Sequence, residues 1–354
     1  MLFNKLSIPV ITLTGALFSM PAAAEEIPGP QQALQSLGIG APQIAQLERG
    51  EIVTYAVKET SQKELAVGVA MILPVALPQV ADYIKHSSLG ASEANILASG
   101  PLAGNADINT FGKFAFTDKQ LDEAKAFLEA EPGEKFNLSK PELDSLKNLH
   151  DSLKDADDKT LLKAANQQYR KILLQRFQAY RKSGLTGIAS YSRGKSTADP
   201  AAELRSDAIN SKAWIRYFPE LRQAWLNYPA ALPANTSEQF MWANRDIENR
   251  PTAILNHRIM LTANASYILL SRQFYVGHSY NSSHMVAGGL PYKNGTLVFY
   301  STRSSTDQVT GIGSNLKRSI AREQMEKEMI DRLQRLNKNL TRKSTAVNDQ
   351  NKEI

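Results

Sequence analysis

The hydrophobic pattern changes its period near Glu238, and this change constrains the fold more than any other feature of the chain. From there, four runs alternate apolar and polar residues: 238–248, 252–263, 266–279 and 295–305. Such alternation is typical of strands that bury one face. The turn-like stretches "NRP", "NA" and "GGLPYKNG" separate these runs, and short turns join antiparallel neighbours. The sequence therefore predicts an antiparallel meander.

Strands and helices are also predicted on both sides of this meander. "EIVTYAVKETSQKELAVGVAMILP" has the β-branched alternation of two strands around the polar turn "TSQK", and "LPQVADYIKH" follows with helical spacing. After the meander, "SNLKRSIAREQMEKEMIDRLQRLNKNL" carries a broad apolar stripe with charges on its other sides, as a long amphipathic helix does. These patterns favour an α+β fold.

Residues 117–185 form a predicted helical insertion. Thr117 with Gln120, and Ser139 with Glu142, match capping boxes, in which side chains satisfy the first free amides of a helix. Residues 117–160 are acidic, with seven Lys and Arg against twelve Asp and Glu. We expect this insertion to pack separately from the β-rich core.

A tryptophan-rich segment lies between the insertion and the meander. Trp214, Phe218, Leu221 and Trp225 are spaced for one face of a helix. Core packing is the expected role of these side chains, and a lid over a cavity is the alternative.

The first 24 residues match a secretory signal. "MLFNK" is a short basic start, "LSIPVITLTGALFSM" is apolar but too short for a membrane span, and "PAAAEE" offers a cleavage site after Ala24. The chain has no cysteine, which excludes disulfides, thiol nucleophiles and thiolate metal sites. We expect a periplasmic or secreted protein.

The remaining boundaries follow from these elements. We expect a lead-in segment in 25–50, the first part of the core in 51–116, the rest of the core with the C-terminal helix in 186–342, and a disordered tail in 343–354.

The formal charge of +6 is concentrated in the C-terminal segment. From Lys317 to the end, ten Lys and Arg stand against six Asp and Glu. No interior stretch has the basic pattern of a nucleic-acid-binding surface, so we expect no nucleic-acid partner. We expect the basic faces of the last helix to be solvated, and peripheral contact with anionic lipid is the alternative.

The order of the elements resembles that of the START-like, or helix-grip, superfamily. The resemblance is carried by "ELAVGVAMILPVALPQVADYIKH", by the meander ending at Ser301 and by the single long helix after it. It implies a curved antiparallel sheet around the C-terminal helix, with a cavity between them for lipids, sterols or other apolar molecules. Some members of the family are cyclases or hydrolases. The helical insertion departs from the family pattern.

The stretch "RQFYVGHSYNSSH" supplies the first candidate site residues. On a regular strand, Arg272, Phe274, Val276, His278 and Tyr280 share one face, and its apolar members predict that this face points inward. Polar groups placed in an apolar cavity orient a ligand. The predicted ligand-contacting residues are His278, Tyr280, Phe274, Val276, Trp242, Phe299 and Arg303.

His278 has three other interpretations: a packed histidine without a role, a general base, or a metal ligand with His284. Two histidines supply only half of a zinc site, so we expect no metal and no cofactor. Ser279 follows His278 directly, and on a regular strand the two would point to opposite faces. No Gly-x-Ser-x-Gly motif presents a serine nucleophile. No catalytic residue is therefore predicted.

The expected function is binding of an apolar or lipid-like molecule, which the protein could also carry. A cyclase- or hydrolase-type enzyme with His278 as its base is one alternative. The other is a structural or envelope-interaction protein whose helical insertion is the contact surface. Arg303, which has the opposite charge to nearby Asp307, is expected near the rim of the cavity.

Overall fold

An antiparallel β-sheet organises the molecule. A computed structural model gives the structure of residues 27–86, 95–211, 215–263 and 265–350, with side chains described to residue 342. The predicted signal peptide, Trp214 and residues 351–354 lie outside these described residues.

The strands of the described chain all belong to one large sheet or to a short hairpin beside it. They are, in chain order, β1 (Val53–Tyr55), β2 (Glu64–Leu73), β3 (Ile96–Pro101), β4 (Tyr191–Ser192), β5 (Thr197–Ala198), β6 (Thr236–Ile247), β7 (Arg250–Ala263), β8 (Ser266–Val276), β9 (Ser282–Tyr292) and β10 (Gly295–Ser305). The large sheet has eight strands in the order β1-β2-β10-β9-β8-β7-β6-β3, and β4 pairs with β5. The predicted α+β class with a large antiparallel sheet and a C-terminal helix is confirmed.

Helices cover both faces of this sheet. They are α1 (Pro30–Ser36), α2 (Ala41–Glu48), α3 (Leu77–His86), α4 (Leu121–Leu128), α5 (Lys140–Ser152), α6 (Asp158–Ser183), α7 (Pro200–Asn210), α8 (Pro219–Leu226) and α9 (Ser314–Gln350). On one face, here called the α9 face, Leu269 and Tyr300 share a hydrophobic core with Met329 and Leu333 of α9. The opposite face packs against α1, α2 and the helices α4 to α8.

The meander has one strand more than the sequence predicts. The segment "GGLPYKNG" was expected to connect two strands, but its first residues belong to β9, which pairs with β8 and β10. Two glycines and Pro291 give this stretch the composition of a turn. Pro291 is tolerated because pairing with β8 ends at Gly289, so its missing N–H interrupts no bond to that strand.

The helical insertion shares its core with the sheet, which differs from the separate packing we expected. Phe127, Tyr169 and Phe177 belong to the same buried cluster as Trp242 and Tyr275 of the sheet. Acidic composition did not reveal this because a count of charges does not show which side chains turn inward; Glu123 and Glu142 are mostly buried in ion pairs with Arg250 and Arg176. The insertion therefore forms the layer over the opposite face of the sheet.

The two predicted capping boxes are found, whereas the bounds of α8 and α9 differ from the prediction. The Thr117 amide donates to the side-chain oxygen of Gln120 at 3.0 Å, and the Ser139 amide donates to Glu142 at 2.7 Å, so both capping boxes are present. In the tryptophan-rich segment, α8 begins only at Pro219. The helix α9 continues to Gln350, into the segment for which the sequence predicted disorder.

Among the helices of the described ranges, none is both long enough and apolar enough to cross a bilayer.

Candidate functional site

A cavity of about 340 Å3 lies between the α9 face of the sheet and α9. Its volume falls within the roughly 300–1,000 Å3 typical of small-molecule sites. The strands β8, β9 and β10 form its floor, and residues 321–336 of α9 form its roof. The START-like resemblance implies a cavity at this position.

The floor of the cavity changes from apolar to polar along the strands. Alternate residues of a strand share a face, so neighbouring strands contribute cross-strand rows to the floor. Three successive rows consist of Leu269, Ala287 and Tyr300, then Ser271, Met285 and Thr302, then Gln273, Ser283 and Ser304. The floor is therefore amphipathic along its length.

The side chains of the roof change from polar to apolar in the same direction as those of the floor. At the polar end, Arg318 of α9 donates to the backbone oxygen of Glu64, and further along the helix the Tyr300 hydroxyl donates to the backbone oxygen of Met329 at 2.8 Å. Gln324 therefore covers the polar rows, whereas Met329 and Leu333 cover the apolar rows. The apolar side chains of the roof thus lie over the apolar rows of the floor, and Glu328 and Arg332 of α9 line the cavity beside them.

The polar end has an internal hydrogen-bond network and an opening. The Tyr280 hydroxyl donates to Gln273 Oε1 at 2.6 Å, and the Ser304 and Ser283 hydroxyls lie 2.9 Å apart. Gln308 and Gln324, which also line the cavity here, are exposed. The cavity is therefore open to solvent at its polar end.

Tyr267 places a lone hydroxyl in the apolar end. Its side chain is buried and lines the cavity, and its Oη has no hydrogen-bond partner among the described residues. Burial raises the pKa of this phenol above its ordinary value, so it stays a neutral donor. Its ring lies over Gly289, where a Cβ would come within 2.1 Å of a ring carbon. A buried hydroxyl without a partner is costly unless a ligand supplies one.

His278 is buried beside the cavity and does not line it. Its Nε2 lies 2.6 Å from the Thr252 hydroxyl and its Nδ1 lies 2.7 Å from the Ser279 hydroxyl. Ser279 in turn donates to Glu248 Oε2 at 2.9 Å. Because the Ser279 hydroxyl donates to Glu248, it can accept from Nδ1 of His278, and the Thr252 hydroxyl also donates to the Arg250 carbonyl oxygen at 3.2 Å. His278 is therefore held by hydrogen bonds at both ring nitrogens.

The contact between His278 and Ser279 corrects our expectation that these neighbours point to opposite faces. The strand β8 ends at Val276, and Ser279 has a positive φ of 71°. This left-handed conformation turns its side chain back toward the imidazole. Burial, followed by the charge of Arg250, lowers the pKa of His278 to about 3. The imidazole is therefore neutral, and it is a weak base.

A β-bulge at Phe274 overturns the common face that was predicted for residues 272–280. Leu255 pairs with Tyr275 and Asn256 pairs with Gln273, so Phe274 is the extra residue of β8. Phe274 and Tyr275 consequently both pack against the helices of the opposite face. Val276 returns to the α9 face, where it packs near Tyr280.

The predicted site residues are thus divided between the two faces. Tyr280 lines the cavity below α9, and Val276 and His278 are buried next to it. Trp242 packs against Phe111 on the opposite face, with ring centroids 5.9 Å apart. Sequence reasoning missed Tyr267 and the hydroxyl rows, although alternate hydroxyl residues in "STRSS" were the signal available for one strand.

Phe299 and Arg303 line a second, smaller pocket of about 190 Å3 on the opposite face. Arg303 is buried and forms a short ion pair with Glu64. Asp307, the neighbour of opposite charge in the sequence, instead pairs with Arg193 at 3.0 Å and Lys63 at 2.6 Å. Arg303 is therefore separated from the cavity below α9 by the sheet.

A buried polar chain also crosses the opposite face. Arg272 donates to the Tyr180 hydroxyl at 3.0 Å, Tyr180 donates to His257 Nδ1 at 2.8 Å, and His257 Nε2 donates to Glu238 at 3.0 Å. Burial lowers the pKa of His257 to about 4. The guanidinium of Arg272 also lies 4.1 Å from the ring of Trp225. These groups fix α6 and α8 on the sheet.

The two histidines of "RQFYVGHSYNSSH", His278 and His284, do not converge on a metal site. His284 accepts a hydrogen bond from Trp225 Nε1 at 2.9 Å on the opposite face, whereas His278 bonds to Thr252 on the α9 face. Within the described ranges, no group of three or more His, Asp or Glu side chains could hold a metal ion.

Comparison with known proteins found no match: no family model, no curated protein and no solved structure resembles the chain significantly.

Proposed function

We propose that the protein binds an elongated amphipathic, lipid-like molecule in the cavity between the sheet and α9. The observation that carries the proposal is the shared gradient of floor and roof, from Leu269 and Leu333 at one end to Gln273 and Ser304 at the other. An apolar chain gains free energy from burial at about 25 cal/mol per Å2, and a polar head gains hydrogen bonds at the open end.

The START-like resemblance supports this proposal without deciding it. A fold of this class hosts both carriers and enzymes, so the site has to distinguish them. A cavity of about 340 Å3 favours a ligand over the structural alternative, for which a filled core was expected. Transport of the ligand through the periplasm or outside the cell is part of the proposal.

The hydrolase alternative has weaker support. Its best observation is the string of Glu248, Ser279 and His278 at the cavity's polar end. A general base works best when its pKa is near the working pH, and the pKa of His278 is lowered to about 3. We therefore favour binding over catalysis.

Filling the cavity tests the proposal. Ala321 lines the cavity from α9, and Gln334 is exposed on the outer side of the same helix. Ala321→Phe should occupy ligand space and reduce binding of a fluorescent fatty acid at least tenfold, whereas Gln334→Phe should leave it unchanged. Native mass spectrometry of protein isolated from its own host should show a co-purified lipid in wild type and Gln334→Phe, but less in Ala321→Phe. Equal lipid content in all three proteins would place the ligand elsewhere or show that none is bound.

A further inference from the structure

Exposed apolar side chains are concentrated at the start of α9. Among the described residues, the exposed large hydrophobic side chains are Leu97, Ile209, Ile312, Leu316 and Ile320. Ile312, Leu316 and Ile320 follow one another at four-residue intervals, which places Leu316 and Ile320 on one side of the helix with Ile312 just before it. Their exposed fractions are 98%, 68% and 49%. We call these three side chains the apolar stripe.

The backbone before α9 presents the first of these side chains to solvent. Ile312 stands between Gly311 and Gly313, whose φ angles of 77° and 73° are in the left-handed region. A Cβ added at either glycine would meet nothing within 4 Å, so this loop projects away from the body. The exposure of Ile312 therefore follows from the backbone path and not from a missing neighbour in the core.

The charges beside the apolar stripe are mostly cationic. Residues 308–322 contain Lys317, Arg318 and Arg322 and no Asp or Glu, and one exposed acidic residue, Glu323, follows directly. Arg318 and Arg322 both contact Glu59, which neutralises one positive charge, while Lys317 is exposed beside Leu316. Aliphatic side chains among cations match the interface of an anionic bilayer, where the side chains enter the acyl boundary and the cations meet phosphates.

The apolar stripe adjoins the open end of the cavity. Gln308 and Val309, which precede it, and Ala321 and Gln324, which follow it, all line the cavity. A surface docked on the stripe would therefore face the cavity entrance.

A second copy of the chain is a less suitable occupant than a lipid surface. Specific protein interfaces bury roughly 1,200–2,000 Å2 in total, and three aliphatic side chains on a convex helix end supply much less. A bilayer needs no complementary shape, and a few inserted side chains with flanking cations are enough for reversible attachment.

We infer that Ile312, Leu316 and Ile320, together with Lys317, dock the protein reversibly on an anionic lipid surface. This docking goes beyond the proposed function, because it depends on residues outside the cavity and does not require the cavity to be occupied.

Vesicle co-sedimentation tests the inference with the full chain isolated from its own host. The vesicles contain phosphatidylcholine alone or phosphatidylcholine with phosphatidylglycerol. Wild type should sediment with the anionic vesicles and less with the neutral ones, and Ile312→Ser/Leu316→Ser/Ile320→Ser should lower partitioning about tenfold or more. Leu97→Ser removes another exposed apolar side chain, 52% exposed on β3, and should behave as wild type. Lys317→Gln should reduce binding to the anionic vesicles only.

The contrary outcomes are distinct. Equal partitioning of wild type and the triple variant would overturn the inference. A wild-type dimer that becomes a monomer in the triple variant, with no vesicle binding by either, would make the stripe an interface between copies and also overturn it. Fatty-acid binding is measured on the same proteins in solution. Retained fatty-acid binding without vesicle binding would reject docking alone, whereas vesicle binding without fatty-acid binding would reject the proposed function alone.

Discussion

Nδ1 of His278 lies 2.7 Å from the hydroxyl of Ser279, its neighbour in the chain. On a continuing strand the two side chains would point apart, and the positive φ of Ser279 brings them together. Because Ser279 already donates to Glu248, this contact orients the serine and does not activate it. Ser279 thus lines the cavity, and His278 is buried beside it.

Replacing His278 by glutamine should therefore have a modest effect. Glutamine keeps a hydrogen-bonding group near Thr252 but cannot act as a base. We expect His278→Gln to weaken fluorescent fatty-acid binding by a few-fold at most, since one neutral hydrogen bond contributes about 0.5–1.5 kcal/mol. Hydrolysis of ester analogues is measured in parallel. If wild type hydrolyses them and the variant loses 100-fold or more of that rate, the enzyme alternative replaces the binding proposal.

Acid should destabilise the wild type more than His278→Gln. Burial lowers the folded-state pKa of His278 from 6.5 to about 3, so between these values only the unfolded chain binds the proton. The stabilisation from the neutral imidazole is complete above pH 6.5 and is lost as the pH falls below it. From pH 7 to pH 5, the free energy of unfolding of wild type should drop by about 2 kcal/mol more than that of the variant.

Urea unfolding at the two pH values measures this difference. Asp207 titrates in the opposite direction, because burial raises its pKa, but it contributes to both proteins and cancels in the comparison. Parallel pH profiles for wild type and variant would contradict the prediction.

The apolar side of α9 should be indispensable and its exposed start should not. Leu333 is buried against the sheet, whereas Leu316 is exposed. Leu333→Asp buries an unpaired carboxylate and should destabilise the fold by several kcal/mol, while Leu316→Asp should change stability by less than about 0.5 kcal/mol. Thermal melting compares them. Equal melting temperatures would mean that α9 does not pack on the sheet.

Deleting residues 117–182 should abolish cooperative folding. These residues were expected to be dispensable, but Tyr169 stacks on Phe127 at 4.5 Å and packs in one core with Trp242, Leu255 and Phe274 of the sheet. Deletion would expose to water the part of that face that α4, α5 and α6 cover. Circular dichroism with thermal melting should show loss of a sharp transition. A β-rich protein with a cooperative melt would restore the idea of a separate appendage.

The buried pair of Glu64 and Arg303 should show strong coupling. Removing one partner leaves the other charge buried, so Glu64→Gln and Arg303→Met should each cost about 3–5 kcal/mol. The double variant should be destabilised by clearly less than the sum of the two. Chemical unfolding of the four proteins in this cycle gives the coupling energy. Additive losses would show that the pair does not act as a unit.

Regular, periodic elements were predictable from the sequence, and irregular ones were not. The capping boxes at Thr117 and Ser139 and the long stripe of α9 depend on local spacing, which the sequence displays directly. The strand β9 escaped prediction because its glycines and proline have turn propensities that pairing on both sides overrides.

The START-like resemblance implied a cavity between the sheet and the C-terminal helix, and a cavity lies there. Its use as a binding site stays a prediction, and only part of its lining was predictable from the sequence. The bulge at Phe274 has no clear signal in the sequence, and a single extra residue exchanges the faces of every side chain after it. This is why Phe274 lies on the opposite face while Tyr280 lines the cavity.

Different interactions hold the two walls of the cavity, and this difference indicates which wall can move. The floor is a continuous ladder of backbone hydrogen bonds whose other side is covered by helices. The roof is tied by side chains, at Arg318 to Glu64, at Tyr300 to Met329 and at Asn339 to Tyr83. Breaking side-chain ties leaves the backbone of α9 intact, whereas parting the strands would cost many ladder bonds at once. Any widening of the cavity for a larger guest should therefore come from displacement of α9, while the sheet stays fixed.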